Sequence, residues 1–542
     1  MKAHCLPFSQ IPHTTRLFAD FLSYSPNVQQ FYPRSPFFAD WVKEESGRIS
    51  YDGSRRERVA AILEGQNKRW EASPKTLGNL ERFRKGAAAV VTGQQVGLLG
   101  GPMFSIYKAL SAVKLAEEAT AAGVEAVPVF WLATYDHDLA EVNHVALPGP
   151  SGELQIISIP SHAAPGAPVS AVHFGEEIVP AVEQAAGLLG DTEATQFLRE
   201  SYRPGETMGT AFARLFAKLF ADWGVIVLDA SDPELHRIAE PIYRAAIERS
   251  SEISGALVAR GARLEAAGYH QQVKVAESSV LLFTLHNGAR SAIHERSQNG
   301  EDTFTVGGEG SVERLSRGEL LNRIASAPEL FSPNVLLRPI VEDYLLPTLV
   351  YTGGAAETAY FAQAGAVYEL LLGRVTPIIP RYSATIVDQR VQRLLTRYSI
   401  SVQDCFGGYE SLRQKLAAHS LPDDLQAAFE ATKKSLDSNL ASIKEKLAAL
   451  DRTLLDAAET SGSKMQHQLE KLYTQAARAE AQKGELISRH AEGLMNALHP
   501  DKGLQERAIG GLWFIARYGR ELLPQIYSTI HTDCHDHQIV EL

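Results

Sequence analysis

Hydrophobic residues along this chain follow two regimes that change near residue 390. In the first, short apolar runs alternate with helix-forming stretches. AAAVVTG, ending at Gly93, reads as a buried strand, and MFSIYKALSAVKLAEEATAAG reads as a helix that stops near Gly123. EAVPVFWLA gives a second strand that ends at TYDHDLAEVNH, and a helix before GVIVLD leads to a third, with Asp229, Ser231 and Asp232 at its end. Short apolar strands separated by helices predict a parallel sheet covered on both faces. The run VLLRPIVEDYLLPTLVYTGGAAETAYFAQ reads as strand, polar break, strand, glycine turn and helix, and the sheet closes near TPIIPRYSATIVD.

Two stretches break this rhythm. Residues 149–200 offer short strands and proline turns, and 270–330 contain SSVLLFTLHNGARSAI, where His286-Asn287-Gly288 separates two strand-like runs as in a hairpin. Both read as insertions into a core spanning 86–390. Residues 1–85 form an arm with helices that joins this core, and the aromatic FYPRSPFF within it reads as a docking segment.

In the second regime the strand signal is absent. Leu436, Leu440, Ile443, Leu447, Leu450 and Leu454 recur at spacings of four and three, and Met465, Leu469, Leu472, Ala476 and Ala479 repeat the pattern after Ser461-Gly462-Ser463. This predicts two helices joined at that serine–glycine turn, an antiparallel coiled-coil arm within a helical domain at 391–500. Residues 501–542 return to the body, because Leu504, Ile509, Leu512 and Trp513 would otherwise face water.

Composition narrows the function classes. With 542 residues, 45% of them hydrophobic and 22% charged, the chain has an ordinary globular balance. A net charge of -11 argues against nucleic acid as the main partner. Three cysteines, Cys5, Cys405 and Cys534, form no CxxC pair and no disulfide framework. The N-terminal stretch lacks the apolar core of a signal peptide, and no run approaches 18 apolar residues, so a reduced, cytoplasmic, non-membrane protein is expected.

The candidate chemistry collects at strand ends. Gly93, Gly97, Gly100 and Gly101 lie between a strand and a helix, where backbone amides favour anions, so the turn is a candidate cofactor-binding loop or a packing turn. It lacks the GK[ST] ending of a phosphate loop and the GxGxxG spacing. Gln94 and Gln95 can bond a polar ligand, and Tyr107 and Lys108 occupy the first turns of the helix. Asp136, His137, Asp138, Asn143 and His144 form the densest polar cluster, read as catalytic or substrate-binding, as structural caps, or as metal ligands of no recognised zinc spacing. Arg338, with Asp343, Glu357 and Tyr360, recurs at later strand ends, with Arg381 and Ser383 beyond. Arg338 could hold a carboxylate and Glu357 an amine, or each could serve an internal ion pair. The tail HTDCHDHQ is rich in metal-ligand types, but neighbouring residues cannot all point inward, and a docking tail is expected with no metal assigned.

Five long phrases in fixed order, TGQQVGLLGGPMFSIYKA, WLATYDHDLAEVNH, FARLFAKLFADWGVIVLDASDPEL, LRPIVEDYLLPTLVYTGGAAETAYFAQ and PDKGLQERAIG, resemble the bacillithiol biosynthesis cysteine-adding enzyme family. The resemblance implies a Rossmann-like core related to class I aminoacyl-tRNA synthetases and nucleotidyltransferases, with connecting-peptide insertions and a coiled-coil domain supporting a homodimer. It also implies addition of L-cysteine to glucosaminyl malate, with Gly93 to Lys108, Asp136 to His144, Arg338 to Tyr344 and Gly353 to Tyr360 as matching regions. HIGH and KMSKS signatures are not readable here. Amide formation needs an activated carboxyl, so ATP, or another phosphoryl donor, is an expected cofactor, with ADP equally open as the ligand. Lys108 would then supply charge, His137 or Asp138 would manage the amine proton, and Arg338 would recognise a malyl carboxylate. The alternatives are a non-catalytic synthetase-like binding or assembly protein, and a ligase or adenylating enzyme for another amino acid.

Overall fold

The computed structural model describes residues 1–160, 164–298, 301–307, 312–418, 423–481 and 484–542. Parts of both predicted insertions, at 161–163, 299–300 and 308–311, lie outside the described residues.

Five parallel strands form the core sheet in the order Ile378–Pro380, Thr348–Gly353, Ala88–Gln94, Ala126–Leu132, Ile226–Asp229. Alternation along each strand splits its side chains between the two faces. Val127, Val129 and Trp131 join one apolar core with Leu63, Phe83 and Ile340, whereas Phe130 and Leu132 join the other with Ile106, Leu110, Phe212 and Phe216. Burial on both faces explains why these strands read as continuous apolar runs.

The two insertions pack on this frame. The first begins with an antiparallel hairpin, His144–Pro148 with Leu154–Ser158, but continues as two helices, Ile178–Leu189 and Glu193–Ser201. The expectation of strands and proline turns across 149–200 is therefore corrected. Ala181, Val182, Ala185 and Leu189 are buried at helical spacing. The second insertion forms an antiparallel sheet whose hairpin, Ser279–His286 with Ala289–Gln298, turns through Asn287 and Gly288 at φ of 52° and 79°. Positive φ at both positions is what a two-residue loop with the strands' own twist requires.

One expected strand is a helix. Arg338–Leu345 is helical, started by Asn334, whose Oδ1 accepts from the N–H groups of Leu336 and Leu337 at 3.0 Å. Leu337, Ile340, Val341 and Leu345 are buried at successive spacings of three, one and four, a helical rather than an alternating pattern.

The helical arm is formed by Asp423–Leu450 and Leu454–Ala481. Their turn is Asp451 to Thr453, where Asp451 Oδ1 accepts from Thr453 N and Oγ1 at 2.9 and 2.8 Å. Ser461-Gly462-Ser463, expected as the turn, lies inside the second helix. Gly462 instead gives room to Leu440, since a Cβ there would stand 3.2 Å from Leu440 Cδ1.

The chain ends close back on the body. Lys2–Leu6 pairs antiparallel with His537–Glu541, which pairs parallel with Ala384–Val387. The apolar residues of TPIIPRYSATIVD thus divide, Ile378–Pro380 closing the core sheet and Ala384–Val387 entering this second one. The aromatic arm docks as well: Phe38 and Trp41 are buried, and His535 bonds the Pro36 carbonyl at 2.7 Å.

Candidate functional site

The strand order creates a switch point. From Ala88–Gln94 the chain moves outward through Ala126–Leu132 to Ile226–Asp229, and it later returns to the other side of the first strand as Thr348–Gly353. Loops leaving the two central strands diverge there, which opens a crevice beyond their C-terminal ends. A cleft of about 570 Å³ occupies this position. Gly93, Gln94 and Gln95 line it from one strand, Gly354, Glu357 and Tyr360 from the other, and Arg338, Asp136 and Lys108 complete the set foreseen from sequence.

Lys108 holds the floor. It is buried on the Phe104–Ala121 helix, and its Nζ donates to Gly93 O at 2.6 Å and Gln94 Oε1 at 2.9 Å while pairing with Glu357 Oε2 at 2.7 Å. Three partners match the three donors of an ammonium group. Burial lowers the Lys108 pKa to about 8, against the pull of the Glu357 carboxylate. Glu357 is itself fixed by the Tyr351 hydroxyl at 2.5 Å and the Gly354 N–H at 2.7 Å. Burial works to raise its pKa, but Lys108, Tyr351 and Gly354 together hold it below the usual carboxylate range.

Arg338 forms one wall. Its guanidinium pairs with Glu342 at 2.6 Å, donates to the Tyr360 hydroxyl at 2.8 Å and lies over the Tyr351 ring. Burial pushes the Glu342 carboxyl up to about 8, opposed by Arg338. Arg338 is thus largely committed to internal partners, the internal ion pair weighed as its alternative.

At the rim, Asp136 accepts from Gln95 Nε2 at 2.7 Å and faces Arg290 at 3.5 Å. Arg290 comes from the second insertion. It is anchored by Ser332 Oγ at 2.9 Å and Pro333 O at 2.8 Å, and it stacks on Phe283 at 3.9 Å from the ring centroid. His137 is exposed beside it, its Nδ1 3.2 Å from an Arg290 N–H. Nδ1 also lies 3.4 Å from Asp136 Oδ1, which only accepts, so its two neighbours favour opposite tautomers of the ring.

Several expected residues lie elsewhere. Asp138, Asn143 and His144 do not line the cleft; His144 Nδ1 meets Asn143 Oδ1 at 3.3 Å on the outside of the first insertion. Tyr107 is fully buried on the far side of its helix, edge-on to Tyr382. Asp343 accepts from Thr376 and lines a separate small cavity with Arg55 and Thr348, at the opposite end of the sheet. The side chain faces away because Asp343 is the helical neighbour of Glu342, about 100° further round the axis.

Gly97, Gly100 and Gly101 also miss the cleft. A Cβ on Gly97 would stand 2.8 Å from Gly101 Cα, and one on Gly100, at φ +90°, would meet Leu215 at 2.9 Å. Gly101 O accepts from Gly511 N at 3.0 Å, and Met103 N donates to Ile509 O at 2.9 Å. The glycine-rich turn folds on itself and receives the returning C-terminal segment. Its close approach is spent on chain packing, the packing alternative of the sequence reading.

Side chains that sequence reasoning missed or ranked low also line the cleft. Arg381 and Arg507 line the cleft with guanidiniums 5.3 and 5.6 Å from the Phe104 ring centroid. Arg381 pairs with buried Glu506 at 2.6 Å, and Glu506 also accepts from Ser383 Oγ and Ala384 N at 3.0 Å. The signal for Arg507 was its place in PDKGLQERAIG; the signal for Arg290 was its position just after the Asn287-Gly288 turn. In total the lining carries five cations, Lys108, Arg290, Arg338, Arg381 and Arg507, against the carboxylates Asp136, Glu141 and Glu357. Glu342 and Glu506 pair with Arg338 and Arg381 from behind the lining, so Arg290 and Arg507 carry most of its pull on an anionic ligand. A second cleft, of about 370 Å³, lies between the first insertion and the helical domain, and none of the candidate site residues lines it.

A doubly wound sheet with an anion-favouring cleft at its switch point and a helical arm defines a Rossmann-like protein of the ligand-binding type. The N-terminal Rossmann-like domain of bacillithiol biosynthesis BshC matches residues 1–382, and the C-terminal coiled-coil domain of the same family matches 384–542. The chain belongs to the BshC family. Among its relatives, proteins named "Putative cysteine ligase BshC" from Koribacter versatilis and Solibacter usitatus are 47% and 36% identical, each over 100% of both chains. The protein of that name from Salinibacter ruber is 33% identical over 99% of this chain and 98% of its own.

Proposed function

We propose that this chain is a cytoplasmic ligase of bacillithiol biosynthesis that joins the carboxyl of L-cysteine to the amine of glucosaminyl malate through an amide bond, at the switch-point cleft. One observation carries the reading: segments distant in sequence, at 93–108, 131–136, 338–360 and 507, converge on one anion-favouring cleft. Both substrates are carboxylates, and glucosaminyl malate carries two.

The residues suggest a division of labour. Lys108, pinned by Glu357 and Gly93, presents a fixed positive charge at the floor, while Arg381 and Arg507 beside Phe104 face the malyl carboxylates. The sugar amine is a cation near neutral pH and must lose a proton to become a nucleophile. Neither His137, at the rim beside Arg290, nor Asp138 lines the cleft. Asp136, which lines the cleft and is oriented by Gln95, is the better acceptor.

Amide formation from a free carboxylate is uphill in water, and ATP or another phosphoryl donor would supply the missing activation. The cationic lining suits a phosphoryl group, whereas the closed glycine turn does not. Homodimerisation through the arm is part of the same proposal. Ile443, Leu450, Met465 and Leu472 are 50, 78, 45 and 56% exposed in the single chain, more apolar surface than a free arm leaves to water.

The test combines purified full-length protein, L-cysteine, glucosaminyl malate and each nucleotide in turn, with mass spectrometry of the thiol product. Product with ATP supports the scheme. Product in the absence of any nucleotide removes the phosphoryl-donor part, and no product under any condition removes the ligase reading.

A further inference from the structure

Away from the cleft, the first and last strands bring two cysteines together. Cys5 is exposed on Lys2–Leu6, opposite Gln538 in the register with His537–Glu541. Cys534 is half-buried three residues before that strand. Their Sγ atoms are 2.9 Å apart, although 529 positions separate them in sequence. A disulfide requires about 2.05 Å between the sulfurs, so under about 1 Å of movement would close the bond. Gln538 Nε2 donates to Cys5 Sγ at 3.1 Å and stands 3.9 Å from Cys534 Sγ, an amide aimed at the pair. The third thiol has no such setting: Cys405 is buried in the helical domain, where burial pushes it up to about 12.

We propose that Cys5 and Cys534 form a reversible dithiol–disulfide pair, oxidised by low-molecular-weight disulfides, that covalently joins the first and last strands of the chain. The inference stands on the geometry of the termini and does not depend on the ligase reading.

The two thiols have different roles. Cys5 is open to solvent and accepts the Gln538 hydrogen bond, so it is the sulfur an external disulfide can reach. Burial, and then the contact with Cys5, pushes Cys534 up to about 11, so it is the protonated partner. Cys5 thiolate attacks one sulfur of a disulfide RSSR; that S–S bond breaks, and the first RS⁻ leaves and takes up a proton as RSH. Cys534 then loses its proton to solvent and attacks Cys5 Sγ in the mixed disulfide, expelling the second RS⁻, which is protonated in turn. Two electrons pass from the protein thiols to RSSR, giving one intramolecular disulfide and two RSH. The bond holds in place the strand that contains His537, whose ring bonds Ser383 at 2.7 Å and Thr385 at 2.9 Å.

The experiment treats the full-length protein with oxidised glutathione, quenches it with N-ethylmaleimide and reads intact mass and a peptide map. With the alkylation carried out in denaturant so that Cys405 also reacts, expected is loss of two of the three alkylatable thiols, a peptide joining Cys5 to Cys534, no retained glutathione, and reversal by dithiothreitol. Cys534→Ser should stop at a glutathione adduct on Cys5. The oxidised wild type should melt at a higher temperature than the reduced one, because the cross-link constrains the unfolded chain. Full alkylation of both thiols after treatment, or separate glutathione adducts on each without a cross-link, would overturn the proposal. An unchanged melting temperature in a cross-linked sample would overturn the claim that the bond secures the strands.

Discussion

At the cleft floor, Lys108 is held by a carbonyl, an amide oxygen and a carboxylate, so neither its position nor its charge is left to solvent. With its pKa lowered to about 8, the ammonium is mostly charged at pH 7 and loses its proton as pH rises through that value. If the charge assists the reaction, kcat/KM should fall on the alkaline side with an apparent pKa near 8, read from a pH–rate profile. A profile flat to about pH 10 would remove Lys108 from the account. Glu506 poses a stability question instead. It is buried and receives three donors, including Arg381. Glu506→Ala strands that guanidinium and should cost about 3–5 kcal/mol in urea unfolding, the range for breaking a buried pair by removing one partner. Strand ends read from sequence put Gln94, Gln95 and Glu357 on the cleft lining. Asp343 and Tyr107 point elsewhere, Asp343 because its segment is a helix and Tyr107 because helical phase decides which face a side chain takes.

At the scale of elements, alternation and turn chemistry were the most legible features. The core strands from 88, 126, 226 and 348 were readable because burial on both faces leaves only apolar residues, and Asn287-Gly288 announced its hairpin through the φ values it tolerates. The arm's two helices were readable but their turn was not: Ser461-Gly462-Ser463 looks like a break, yet small residues also occur where helices approach closely, as Gly462 does to Leu440. Asp451 and Thr453 held the better signal, a side-chain cap. The arm's exposed seam residues belong to the proposed dimer. Leu472→Glu should shift the sedimenting species from dimer to monomer with little change in the circular dichroism of the body. A variant that remains fully dimeric would place the interface elsewhere.

Across the whole molecule, strand order does what local pattern cannot: it brings 93–95, 338, 357 and 507 to one cleft. The recurrence of polar residues at strand ends points to one crevice built from distant segments, but which side chains meet there depends on which strands are neighbours. The same long-range closure predicts acid sensitivity. Burial lowers His537, in the C-terminal strand, and His236, beside Tyr243, each to about 4. Between about pH 6.5 and 4 the unfolded chain binds protons at these sites that the folded chain does not, so stability falls as pH falls through that window, by on the order of 3 kcal/mol per histidine. His537→Asn should flatten the slope of unfolding free energy against pH, measured by urea titration from pH 7 to 4. An unchanged slope would mean that His537 is protonated in the fold.

The proposed ligation in the switch-point cleft requires Lys108 on its floor and Asp136 at its rim. Thiol product is followed with L-cysteine, glucosaminyl malate and ATP for the wild type, Lys108→Met and Asp136→Asn, each first confirmed as folded by circular dichroism. Expected are product from the wild type and a loss of about 100-fold or more in kcat/KM for each variant. Full turnover by folded Lys108→Met and Asp136→Asn proteins would contradict ligation in this cleft.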